Sequence, residues 1–128
     1  MPAAVENRPH LPRPAPIDGY GKGGFRFAGM SHRGSLLCLP SGIYGWAATG
    51  ASGLDEAALG RVFAEADAID TLLIGTGRDL VSIVPGLRER LRQVKIVAEA
   101  MSTGAAVRTF NVLLAEDRAV AAALIAVD

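Results

Sequence analysis

The chain has 128 residues, half of them hydrophobic, and its 13 basic side chains are balanced by 13 acidic ones. That length is about one domain, which buries roughly 68–70% of its unfolded surface, so a real core is within reach and wholesale disorder is excluded. A neutral chain makes no overall electrostatic case for nucleic acid or an anionic membrane as partner. Only Lys22 and Lys95 are lysines among the bases. A GC-rich coding genome explains that arginine bias more simply than selection for bidentate anion contacts. Cys38 is the only cysteine, which excludes an internal disulfide and any multi-cysteine metal site. It sits in the apolar run Ser35 to Leu39, the setting of a buried structural thiol rather than a reactive one. No segment reaches the ~18 consecutive apolar residues of a membrane span, and the N-terminus lacks the apolar stretch of a signal peptide. A cytoplasmic protein without a membrane span is expected.

Residues 1–16 hold five of the seven prolines (Pro2, Pro9, Pro12, Pro14 and Pro16). Proline removes backbone donors and restricts the preceding residue, so this stretch reads as an extended, disordered arm ahead of a single α/β domain over 17–128. From Ile17 to Ala48 the pattern is β-like and rich in turn residues. Gly19, Gly21, Gly23 and Gly24 lead into Phe25-Arg26-Phe27, Ser31 to Gly34 reads as a turn, and Ser35 to Leu39 as a short apolar strand completing a hairpin. After a turn at Pro40-Ser41-Gly42 comes Ile43 to Ala47, where the indole N–H of Trp46 needs a carbonyl partner.

Strands and helices then alternate. Asp55 and Glu56 put negative charge on a first turn, and Leu59, Val62, Phe63 and Ala66 share one helical face. Ile69 to Ile74 is nearly continuous in apolar residues, as a buried strand is. Pro85 opens a helix with Leu87, Leu91 and Val94 on its inner stripe and Arg88 and Arg92 on a solvated face. Val94 to Ala98 reads as the next strand. Ser102 or Thr103 can cap a following helix whose buried side is Ala106, Phe110, Leu113 and Leu114, with small residues at 104–106 allowing close approach to the sheet. Glu116-Asp117-Arg118 interrupts that helix, so Ala119 to Val127 reads as a final strand closing the sheet. The order predicts an α/β domain, a mixed β-sheet with packed helices and a β-rich N-terminal part.

Two small-residue turns carry what chemistry there is. Gly75, Thr76, Gly77 and Arg78 follow a buried strand, where backbone N–H groups, a hydroxyl and a guanidinium face a ligand if one binds. The third glycine of a dinucleotide fingerprint is missing, because Ser82 stands there and Pro85 follows, and no Walker motif is present. A tight turn leaving a strand is the simpler reading. Ser102, Thr103, Arg108 and Asn111 form the second group, at a helix start whose free N–H groups favour a carboxylate or phosphate. Helix capping and a solvated face compete with that reading and are the simpler explanation. No nucleophile–base set is visible. His10 lies in the arm and His32 in the predicted turn, and pairing His32 with Cys38 would leave no orienting third group. No metal-ligand spacing exists, and no cofactor or catalytic residue is assigned.

The run Gly42-Ile43-Tyr44-Gly45-Trp46, the Leu73 to Gly77 turn and the block Met101 to Arg118 together resemble a domain-of-unknown-function family. That family includes the human adipogenesis-associated domain protein and a mitochondrial assembly factor for respiratory complex I. The likeness spans about Ile17 to Val127, and its most specific part is Ala105 to Leu114, where relatives usually have tyrosine at Phe110. Relatives also usually carry aspartate at Ser102 and glycine at Asp117. The first change keeps a capping side chain but loses a charge. The second sets aspartate where a left-handed turn favours glycine. The resemblance implies a compact three-layer α/β domain and no established enzyme activity. It points to a non-catalytic protein-interaction domain with partners in membrane or respiratory complex assembly. The alternative is a small-molecule or anion-binding domain, with or without a reaction of its own, using the two turns.

Overall fold

The computed structural model describes residues 8–128, so the part of the arm that contains Pro2 lies outside the described residues. Three short strands, β1 (Gly19–Gly21), β2 (Gly24–Phe27) and β3 (Met30–Arg33), make a small antiparallel sheet. Their two hairpin turns, Lys22-Gly23 and Ala28-Gly29, hold both central residues at positive φ, the type I′ conformation that matches strand twist. The predicted turn over Ser31 to Gly34 is thus largely a third strand. It was hidden because β3 is polar and mostly exposed, with no apolar alternation to mark it. Ser35–Leu39 (β4) does not pair with Phe25–Phe27 either; it pairs with β5 (Gly42–Trp46) across the Pro40-Ser41 turn.

The second sheet is mixed, in the order β5-β4-β8-β6-β7, with β6 at Thr71–Gly75, β7 at Val97–Met101 and β8 at Val120–Leu124. The last strand closes the sheet from the middle: it lies antiparallel to β4 and parallel to β6, joining the two halves. All five of its residues are buried. Its central alanines keep both faces shallow, so layers can pack closely on either side.

Strand alternation sorts the core into two faces. Leu37, Leu39, Leu72, Ile74, Ala121 and Ala123 pack under α1 (Gly60–Ala64) and α2 (Pro85–Gln93). Leu36, Cys38, Leu73, Ala122 and Leu124 face α3 (Thr103–Ala115) and the small sheet, whose Phe25 and Phe27 meet Phe110 of α3 there. Three layers result, in one compact domain. The predicted first helix is broken into 3₁₀ turns at Ala57–Leu59 and Ala66–Ala68 flanking the short α1. Gly60 at the junction is a poor helix former. Leu59 and Val62 are buried as expected, and Trp46 Nε1 donates to the Ala58 carbonyl at 2.8 Å. Arg90 clamps Glu56 with two 2.9 Å bonds, tying this segment to α2.

Two helices end in the same way. After α3, Arg118 N–H donates to the Leu113 carbonyl and Asp117 N–H to that of Leu114, with Asp117 at φ 58°. After α2, Ile96 bonds Leu91 and Lys95 bonds Arg92, with Lys95 at φ 66°. Both are Schellman closures in which glycine is the usual left-handed residue. The second one consumes Val94 and Lys95, which is why the strand expected from Val94 begins only at Val97. Asp117→Gly should therefore raise stability by about 0.5–1 kcal/mol, read as a higher urea midpoint with an unchanged m-value.

Candidate functional site

Gly75 to Gly77 lie where β6 runs out beside the start of α3. The turn's polar groups are largely turned inward. Thr76 Oγ1 is 2.6 Å from the Asp79 carbonyl and 3.1 Å from that of Met101, and it accepts the Val81 N–H at 3.0 Å. Thr103 is fully buried; its hydroxyl donates to the Ile125 carbonyl at 2.7 Å and accepts the Gly77 N–H at 3.0 Å. A Cβ on Gly75 would sit 3.0 Å from both Thr103 Cα and Leu124 Cδ2, so glycine there lets helix and strand approach. These three positions and Thr103 build the rim.

Arg78, Ser102 and Arg108 remain open. With Gly77, Gly104, Tyr20, Val127 and Asp128 they line a concavity of about 250 Å³. Ser102 caps α3 by accepting the Ala105 N–H at a long 3.4 Å. Both guanidiniums are exposed on the rim, beside the positive end of a 13-residue helix. Asp128 sets a carboxylate on the same wall. Asn111, predicted to join this group, is instead bonded to the N-terminal segment: its amide accepts the Ile17 N–H at 2.8 Å and donates to the Ile17 carbonyl at 2.9 Å. Tyr20 was not foreseen, since β1 offers only a glycine-flanked tyrosine as its signal. Its ring lies over the first turn of α3, and a Cβ on Gly104 would collide with its hydroxyl. Gly104 thus makes room for Tyr20, whereas Ala106 is the residue buried between helix and sheet.

Two histidines meet at the other end of the small sheet. His32 sits on β3, not in a turn, and its ring centroid is 4.7 Å from that of His10. Both rings lie against Gly45, where a Cβ would be 3.2 Å from each. Burial, with the neighbouring His10, holds His32 below the ordinary histidine value, partly opposed by a Ser35 backbone hydrogen bond. A histidine held low in the fold stays neutral while the unfolded chain protonates first. Stability should therefore fall as pH drops below about 6.5 and level off below the folded value. Urea midpoints between pH 7.5 and 5 check this, and His10→Asn should flatten the slope. Cys38 is no partner for His32: it is fully buried mid-sheet, and burial pushes its thiol up to about 12. Among the described residues no cluster of three or more metal-ligating side chains occurs, and no helix is long and apolar enough to cross a membrane.

Comparison with known proteins agrees with this architecture. The crystal structure of an outer membrane protein from Bartonella henselae is 60% identical and superposes with a TM-score of 0.89 over 93% of this chain and all of that one. An uncharacterized protein of Rhodobacter capsulatus is 46% identical over 86% of this chain and 83% of its own. The mouse NADH dehydrogenase [ubiquinone] 1 alpha subcomplex assembly factor 3 is 29% identical over 90% of this chain. The match spans 62% of that protein's length. The family of proteins of unknown function DUF498/DUF598 matches residues 17–125, essentially the whole folded domain, and the chain belongs to that family.

Proposed function

We propose that this domain is a non-catalytic interaction module that assists assembly of a membrane or respiratory complex from the cytoplasmic side. The observation that carries this reading is the relationship to complex I assembly factors of mouse, frog, zebrafish and cattle across 85–90% of the chain. The chemistry of the fold is in keeping with it: the lone thiol is buried, and the hydroxyls of Thr76 and Thr103 are bonded within the fold. Affinity purification of the tagged protein from its own cells in gentle detergent tests it. Recovery of respiratory-complex subunits in fixed proportion is the expected result. Recovery of the protein alone would overturn it.

A second reading rests on the concavity beside α3. Arg78 and Arg108, both predicted from sequence, line it with Ser102, an arrangement suited to a small carboxylate or phosphate. A melting screen against such anions should show shifts that Arg78→Ala and Arg108→Ala each abolish. Shifts in both variants identical to those of the unsubstituted protein, or no shift with any anion, would remove this reading.

A further inference from the structure

The two edges of the five-stranded sheet are treated differently. On the β5 edge the arm lies as a strap. His10 N–H donates to the Ile43 carbonyl at 2.8 Å, and Ile43 N–H donates to the Leu11 carbonyl at 2.9 Å. Pro9 and Pro12 flank that bridge, and proline cannot extend a ladder outward. The β7 edge has no such cover among the described residues.

The register fixes which β7 groups are open. Val97 N–H donates to the Asp70 carbonyl, and the Met101 carbonyl accepts from Thr76 N–H, so positions 97, 99 and 101 face β6. Ala98 and Ala100 must then direct their N–H and C=O groups away from the sheet. Among the described residues the one hydrogen bond to that row comes from a side chain: Arg88 Nη1 of α2 donates to the Ala98 carbonyl at 2.9 Å. Beside the row Val97 is 61% exposed and Glu99 is exposed, while Leu80, 65% exposed, projects from the loop that Thr76 ties to Met101. An open strand edge flanked by apolar side chains is a template for strand addition.

We infer that β7 is a docking edge for an extended segment of a partner protein that lies antiparallel to it and carries a basic residue opposite Glu99. The identity of the occupant follows from charge. A second copy using all the Ala98 and Ala100 groups would set Glu99 directly against its own counterpart, and like charges in directly opposed positions repel. A partner with arginine or lysine there satisfies the carboxylate, and an apolar residue two places away covers Val97. Arg88 swings off the Ala98 carbonyl as the incoming N–H takes its place. This inference rests on the interaction reading above and names the surface it would use.

The test uses the full chain and a blocked seven-residue peptide of alternating threonine and valine with arginine at its centre, followed by amide NMR. Binding should shift and protect the Ala98 and Ala100 amides. Ala100→Pro removes one outward N–H without touching the bonds to β6, and it should weaken binding at least about tenfold. Glu99→Lys should reverse the preference toward a glutamate-centred peptide, a readout that holds even if the proline variant folds poorly. Equal affinity of the wild type and Ala100→Pro, shifts confined elsewhere, or self-association through these amides would each overturn the inference. Purification from cells separates it from the broader reading. If Ala100→Pro recovers the same respiratory subunits as the wild type, the edge is wrong and the assembly role stands. If neither recovers any, the assembly role itself fails.

Discussion

Thr103→Val should lower stability by roughly 2–4 kcal/mol, while Thr103→Ser should cost about 1 kcal/mol or less. The hydroxyl is fully buried and bonded on both sides, to the Ile125 carbonyl at 2.7 Å and to the Gly77 N–H at 3.0 Å. Valine keeps the shape but strands an acceptor and a donor in a space that water does not reach. The desolvation of two buried backbone groups, at roughly 1–3 kcal/mol each, outweighs what one methyl group gains by packing. Serine keeps both bonds and loses only the γ-methyl that threonine itself carries. The damage would also be local in a way the site can report. Thr103 fastens the end of β6 and the chain after β8 to the first turn of α3, and these are walls of the concavity holding Arg78 and Arg108. Urea midpoints give the energies, and faster hydrogen exchange at Gly77 in the valine variant would locate the break.

The same residue shows what was legible in the sequence. The strands β6 and β8, the proline-opened α2 and the capped α3 follow from apolar runs and end signals of a few residues each. The mixed sheet and its packed helices follow from their order. The rim was visible as small and hydroxyl-bearing residues after strands, yet not which hydroxyls would be consumed by the backbone. Thr76 and Thr103 read first as turn and cap residues and second as ligand groups; the Thr76 bond to Asp79 is the local turn, whereas the bonds to Met101 and Ile125, 25 and 22 residues away, leave no local trace. The β3 strand was missed for a related reason. Its pairing depends on Ala28-Gly29 and Lys22-Gly23 turns, whose first positions carry none of the asparagine or aspartate that normally announces a type I′ hairpin. Tyr20 reached the concavity through that same unseen sheet. The left-handed aspartate at 117 was the opposite case, since a position that relatives fill with glycine states its backbone conformation outright.

Asn111→Leu is expected to cost roughly 2–4 kcal/mol, for a reason unlike a surface helix substitution. The side-chain amide behaves as a one-residue strand: it accepts Ile17 N–H at 2.8 Å and donates to the Ile17 carbonyl at 2.9 Å. Ile17 is 3% exposed, and with Ala15 it packs into the cluster around Phe110. Leucine offers that backbone nothing, so both groups lose their partner or the segment lifts and uncovers Ile17. Either route exposes apolar surface or strands polar atoms, and the released segment includes the strap on β5. Asn111→Asp separates the two bonds. Its carboxylate still accepts the Ile17 N–H but sets an oxygen against the Ile17 carbonyl, so the loss should shrink as acid protonates the group and restores a donor. A deficit against the wild type that narrows toward pH 5 in the aspartate variant, while the deficit of the leucine variant stays constant, would establish the two-bond clamp. Parallel profiles would mean that packing of Ile17, and not the amide, holds the arm to the domain.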